Sequence, residues 1–221
     1  MRLLLVRHGQ TSSNVAGALD TATPGADLTE LGREQADAIV PAFAGERVDA
    51  IYTSTLVRTQ QTAAPLAADR GLEPTVRAGL REVGAGDVEM RTDEDAMRIY
   101  FLTLLSWAGG DLEVGMPGAE TGHEALGRFD AVVDEIWAEA EASGRTDQTV
   151  AVFSHGAILR LWACLRCANL APDYLGDRHL SNTGVIVVEG SPGAWTALSW
   201  EDDAIGGDAL TDLAHDGPAA G

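Results

Sequence analysis

The sequence predicts an α/β fold: a three-layer αβα sandwich around a mainly parallel central sheet, with a small helical cap insertion. Two observations carry this. Short β-branched or apolar runs alternate with longer stretches of helical period, and two of the runs end in the same way, in V-R-H-G (residues 6–9) and F-S-H-G (residues 153–156). Length supplies the third. A chain of 221 residues is enough for one such domain and short for two.

Taken in chain order, the expected strands are Leu3 to Val6, Ala50 to Tyr52, Val150 to Phe153 and Val185 to Val188, with an edge strand near Ala197 to Trp200. Leu31, Ile39 and Phe43 mark a helix after Thr29, a candidate cap, which Pro41 should kink or shorten. Met97, Phe101, Leu104 and Leu105 mark a second helix. T-G-H-E from Thr121 has capping-box form and opens a third, continued by Leu126, Phe129, Val133, Ile136 and Trp137. Ile158, Leu161, Trp162 and Leu165 mark a fourth. The domain is expected over residues 1–205, with the cap roughly at 84–118. Residues 206–221, rich in Gly, Ala and Asp and without periodicity, read as a flexible tail.

Composition narrows the function classes. The chain carries 34 acidic and 15 basic residues, a formal charge of -19, which makes nucleic acid a poor partner. Every basic residue is an arginine, so an anion must be held by guanidinium groups, histidines or backbone amides. No apolar run reaches the roughly 20 residues of a membrane span, and M-R-L-L-L-V-R-H is far shorter than a signal-peptide core. A cytoplasmic protein without a membrane partner is therefore expected. Cys164 and Cys167 form one C-x-x-C in a helix-like apolar stretch, which reads as buried free thiols.

In an open α/β sheet, ligands bind beyond the carboxyl ends of the parallel strands. Two adjacent strands ending in His-Gly would bring His8 and His155 into one crevice. Arg58 follows a third strand in the first turn of a helix, whose N-terminus also favours an anion. His123, His179 and His215 lack this setting and read as structural.

These residues resemble a known family. R-H-G-Q-T-S-S-N (residues 7–14) is similar to the R-H-G-x-[ST]-x-x-N signature of the histidine phosphatase superfamily, the phosphoglycerate mutase-like branch 1. A-D-L-T-E-L-G-R-E-Q-A, I-Y-T-S-T-L-V-R-T-Q-Q-T-A, L-R-E, P-G-A-E-T and S-H-G-A-I-L-R follow in the family's order and cover most of residues 1–190. The resemblance implies a phosphomonoester hydrolase with His8 as phosphoryl acceptor. Arg7, Arg58 and a His155 that is cationic with phosphate bound would clamp the phosphoryl oxygens. It implies Glu82, in L-R-E, as proton donor, with Glu89 as its rival. Thr11, Asn14 and the amide of Gly156 would add phosphate contacts. No metal or cofactor is called for, because the clamp supplies the positive charge. The implied partner is a small phosphate ester, and a homo-oligomer is compatible with the sequence.

A cofactor-dependent phosphoglycerate mutase is the alternative. It is disfavoured because the chain has no lysine and the segment from Glu82 to His155 is short, with only Arg91, Arg98, Arg128 and Arg145 as cations. A catalytically silent phospho-ligand binding module is a third reading. The stretch after Asn14 departs from the family's compact pattern, with Pro24 displaced from Leu28 and Thr29, so no substrate contacts are carried over from it.

Overall fold

The computed structural model describes residues 1–171 and 173–218. Its strands are β1 (Arg2–Arg7), β2 (Ala50–Thr53), β3 (Thr75–Val76), β4 (Thr149–Ser154), β5 (Val185–Ser191) and β6 (Ala194–Glu201). They form one sheet in the order β3-β2-β4-β1-β5-β6. β1, β2, β3 and β4 run parallel, while β5 and β6 join antiparallel at one side. The sheet is thus mixed and mostly parallel. Each strand expected from the sequence is present, extended by one to three residues at its ends, and the two-residue β3 is additional.

The helices are α1 (Ser12–Ala16), α2 (Glu30–Ala42), α3 (Val57–Arg70), α4 (Glu94–Ala108), α5 (Gly122–Ala142), α6 (Gly156–Arg166) and α7 (Tyr174–Asp177). Strand alternation divides them into two layers. Leu3 and Leu5 of β1, with Val150 and Val152 of β4, face the apolar stripes of α4, α5 and α6. Leu4 and Val6, with Ala151 and Phe153, face Ile39 of α2 and Ala63 and Leu66 of α3. Both faces of β1 and β4 are buried, which is why these strands read as unbroken apolar runs.

Local signals set the helix ends. Thr29 caps α2 by accepting from Gly32 N at 3.0 Å. Pro41 is the last residue but one of that helix, so it stops α2 and does not kink it. Thr121 and Glu124 complete a reciprocal capping box at the start of α5. The segment 84–118 is tied closely to the main body: Tyr100, Leu104 and Trp107 of α4 lie in the same apolar cluster as α5 and α6.

The segment expected as a flexible tail has a defined path in the structure. Residues 206–218 fold back over the carboxyl ends of the strands, and the remaining three, 219–221, lie outside the described residues. Gln35 Nε2 donates to Leu210 O at 2.7 Å, Gln10 Nε2 to Asp212 Oδ2 at 3.2 Å, and Asp216 is 1% exposed. Polar anchors hold this segment where periodic apolar residues are lacking, so apolar patterning gave no sign of it. Among the described residues, no helix is long and apolar enough to cross a membrane.

Candidate active site

β1 and β4 are neighbours in parallel register, with Arg7 opposite Ser154, so the residues that follow them, His8 and His155, emerge side by side. His8 N donates to Ser154 O at 3.1 Å, and the two imidazoles meet edge to face with centroids 5.2 Å apart. The turn after β1 packs against the first turn of α2 so closely that a Cβ on Gly9 would lie 2.6 Å from Gly32 O. Gly9 is needed there for space. Its N–H donates to Thr62 Oγ1 at 2.9 Å, tying the turn to α3.

His8 Nδ1 lies 2.7 Å from the carbonyl oxygen of Gly9, an acceptor, so Nδ1 carries the proton and Nε2 keeps its lone pair. Burial, then the positive charge of Arg58 and Arg7, holds His8 well below the usual histidine value. His8 is therefore neutral around pH 7. Burial and the same cations act on His155 in the same direction, leaving it neutral in the ligand-free protein. A cationic His155 thus requires an anion beside it.

The guanidiniums converge here. Arg7 is fully buried and donates from Nη1 to Leu180 O at 2.6 Å and from Nη2 to Asp216 O. Burial lowers it to about 10, opposed by Asp216 and Glu82, so it stays charged at neutral pH. Arg58 donates from Nη2 to Asp20 O at 2.8 Å and pairs with the Asp20 carboxylate at 3.6 Å. Arg7 Nε, Arg58 Nε, Arg58 Nη1 and His155 Nδ1 are buried without hydrogen-bond partners. Buried guanidinium donors are rarely left unmatched, and an oxyanion would satisfy several of them at once.

Glu82, 3% exposed, accepts from Val83 N at 2.8 Å and Ile158 N at 3.0 Å on Oε1, and from Ala157 N at 3.0 Å on Oε2. The N–H groups that open α6 are thus bound to this carboxylate. Gly156, the first residue of α6, is buried but is not among the residues lining the cavity. Glu89, the rival of Glu82, instead holds the loop at Thr21 and Ala22, accepting from both backbone N–H groups and from the Thr21 hydroxyl.

Arg7, His8, Thr11, Asn14, Arg58 and Glu82 border one cavity of about 30 Å³; His155, fully buried, packs against His8 but is not among the residues that line it. Thr11 and Asn14 are also occupied with each other, as a reciprocal capping box on α1, and Asn14 Nδ2 donates to Asp216 O at 3.0 Å. Ser13, Ala18, Leu19, Asp20, Thr21, Tyr100 and Pro218 complete the lining, and apart from Tyr100, which lies in the expected cap, sequence reasoning missed them. It also missed Asn182, whose Nδ2 donates to His8 O at 3.0 Å; His179, read as structural, pairs its Nε2 with Asp216 Oδ2 at 2.9 Å. Position beside His8 was the only available signal for these, and it needs the fold. Cys164 and Cys167 are buried free thiols that burial raises to about 11 and about 12, so neither is a thiolate near neutrality. Among the described residues no cluster of three or more His, Cys, Asp or Glu could hold a metal.

The chain is 35% identical over 212 residues to the PE-PGRS family protein PE_PGRS11 of Mycobacterium tuberculosis, covering 91% of itself and 36% of that longer protein. It is 31% identical over 171 residues to the glucosyl-3-phosphoglycerate phosphatase of the same species, covering 72% and 71% of the two chains. The crystal structure of the alpha-ribazole phosphatase from Shigella flexneri superposes with a TM-score of 0.67 at 26% identity, over 94% of this chain and all of the other. The profile of the histidine phosphatase superfamily (branch 1) matches residues 3–203. With the paired His-Gly strand ends in place, the chain belongs to the histidine phosphatase superfamily, branch 1.

Proposed function

We propose that this chain is a phosphomonoester hydrolase that transfers the phosphoryl group of a small metabolite to His8 and then to water. The observation that carries the reading is the state of His8: neutral, proton on Nδ1, Nε2 free, on the wall of a cavity shared with two buried guanidiniums and a carboxylate. Both relatives named above as phosphatases act on small phosphorylated metabolites by name.

In the reaction, Arg7 and Arg58 take the non-bridging oxygens in place of water, and a protonated His155 adds a third donor. His8 Nε2 attacks phosphorus, the bond to the ester oxygen breaks, and that oxygen takes its proton from Glu82. Three backbone N–H groups use three of the roughly four lone-pair sites of the Glu82 carboxylate, which leaves one site, on Oε2, to carry this proton. Water then attacks the phosphohistidine, gives its proton back to Glu82, and the P–N bond breaks to release phosphate. Thr11 and Asn14 assist from the α1 cap, and a Gly156 contact would need the start of α6 to shift. Glu82 is preferred to Glu89 because Glu82 borders the cavity whereas Glu89 is committed to the loop at residues 21–22. The segment 84–118 supplies Tyr100 to the cavity wall and acts as a cap whose outer residues choose the ester.

The test is phosphate release across a library of phosphorylated metabolites, with acid-labile labelling of His8 after rapid mixing. Release that disappears in His8→Ala is the expected result. Isomerisation of 3-phosphoglycerate, primed with 2,3-bisphosphoglycerate, that outpaces phosphate release would make the chain a mutase. No release and no labelling with any ester, p-nitrophenyl phosphate included, would leave a binding module.

A further inference from the structure

His155 is completely buried, and its Nε2 lies 2.8 Å from Ser54 Oγ, in the loop between β2 and α3. The hydroxyls around this contact fix its direction. Ser54 Oγ accepts Leu56 N–H at 3.2 Å and lies 3.0 Å from Thr59 Oγ1. Thr59 Oγ1 lies 2.8 Å from the carbonyl oxygen of Leu56, which can only accept. A hydroxyl has one proton to give. With the Thr59 proton on that carbonyl, Thr59 Oγ1 accepts from Ser54, and Ser54 Oγ is left to accept from His155 Nε2–H. Every proton then has an acceptor.

The reverse order places the Ser54 proton on His155 Nε2, and Thr59 then either turns to Ser54 Oγ and gives up the Leu56 carbonyl or keeps that bond and leaves two hydroxyl oxygens 3.0 Å apart with no proton between them. The neutral ring would then carry its proton on Nδ1, which is buried without a partner. Arg58, His8, Arg128 and Arg7 face His155 electrostatically, and an orphaned N–H dipole beside cations is worse placed than a lone pair. The carboxylate of Glu82 is bound to the N–H groups of Ala157 and Ile158, two and three residues along the chain, and offers Nδ1 no hydrogen bond.

We propose that the Ser54–Thr59 hydroxyl pair locks His155 as its Nε2–H tautomer, so that His155 grips an oxyanion only by taking up a proton at Nδ1. Ser54 and Thr59 are positioning residues in this scheme, and it rests on the pocket being an anion site. Binding of a dianion and protonation of His155 become one event: the proton comes from solvent, settles on Nδ1, and is donated to a non-bridging oxygen. No bond of the substrate is made or broken in this step.

The experiment uses the full chain labelled with ¹⁵N-histidine, and sulfate as the probe, because sulfate stays a dianion across the neutral range and cannot itself carry the proton. Imidazole ¹⁵N shifts at pH 7.5 should show His155 with Nε2 protonated and Nδ1 bare, and both protonated once sulfate binds. Sulfate affinity should fall with rising pH, and the isosteric Thr59→Val should make that slope shallower by about one factor of ten per pH unit, the signature of one proton no longer taken up. Thr59→Ser, which keeps the hydroxyl, should retain the slope. A proton on Nδ1 in the free protein, or a bound sulfate beside a neutral His155, overturns the proposal. So do equal slopes in Thr59→Val and Thr59→Ser. Failure of sulfate to bind at all overturns the anion site, and the coupling with it, while the tautomer signal separately decides the hydroxyl relay.

Discussion

A buried imidazole kept neutral stores a pH dependence in the fold. His8 and His155 both sit well below 6.5 in the native chain, chiefly through burial, then through Arg58. In the unfolded chain each returns to about 6.5. Above that pH neither state binds the proton, and the histidines contribute no slope. Below it the unfolded chain takes up protons that the native chain refuses, so stability falls with falling pH by about 1.4 kcal/mol per pH unit for each histidine. Urea unfolding of the anion-free protein between pH 7.5 and 5.5 should show this loss, and His8→Asn should remove about half of the histidine share. An unchanged slope in that variant would mean that His8 is already protonated in the folded state.

The same environment was partly legible in the text of the chain. His8, His155 and Arg58 stand where they do because apolar runs end immediately before them or a helix begins immediately before, and strand-end placement is a one-dimensional signal. The structural part that Glu82 plays was not legible, although the resemblance implied its chemical one. Its carboxylate closes the N-terminus of α6, 74 residues later in sequence by the separation between Glu82 and Gly156, and such a cap comes from packing of the turn at residues 78–82 against α5. Element structure and the proposed chemistry therefore share one side chain. In Glu82→Gln the amide nitrogen would have to face either the N–H of Ala157 or those of Val83 and Ile158, setting donor against donor. A stability loss of about 1–3 kcal/mol is expected. Turnover should fall far more for alkyl monoesters than for p-nitrophenyl phosphate, whose leaving group needs little protonation. Denaturant melts together with the ratio of the two rates check both halves. Equal losses on the two esters would move the proton-donor role to another residue even if the destabilisation appears.

Across the whole molecule, the path of the C-terminal segment is the feature on which the sequence said least. Low complexity argued for a loose end, while residues 210–216 are held by Gln35, Gln10, Asn14, His179 and Asn182, which come from three separate stretches of the chain. The Asp216 carbonyl accepts from Arg7 and Asn14, two groups that the proposed reaction assigns to phosphate, and Pro218 forms part of the cavity wall. A cavity of about 30 Å³ has room for roughly two waters, and it is open to solvent, so a leaving group can extend outward past the segment. An ester gripped by Arg7 and Asn14 would compete with this segment for two hydrogen bonds of about 0.5–1.5 kcal/mol each. A chain ending after Thr211 should lose that competition: KM for bulky monoesters should fall about tenfold, the equivalent of about 1.4 kcal/mol. kcat should stay within a few-fold, because His8, Arg7, Arg58 and Glu82 are anchored by other elements. Melting should come at a lower temperature, since Arg7 and His179 lose partners. Steady-state kinetics on the shortened and full chains decide the matter, and a KM that rises on truncation would show that the segment belongs to the substrate site and closes over the ester.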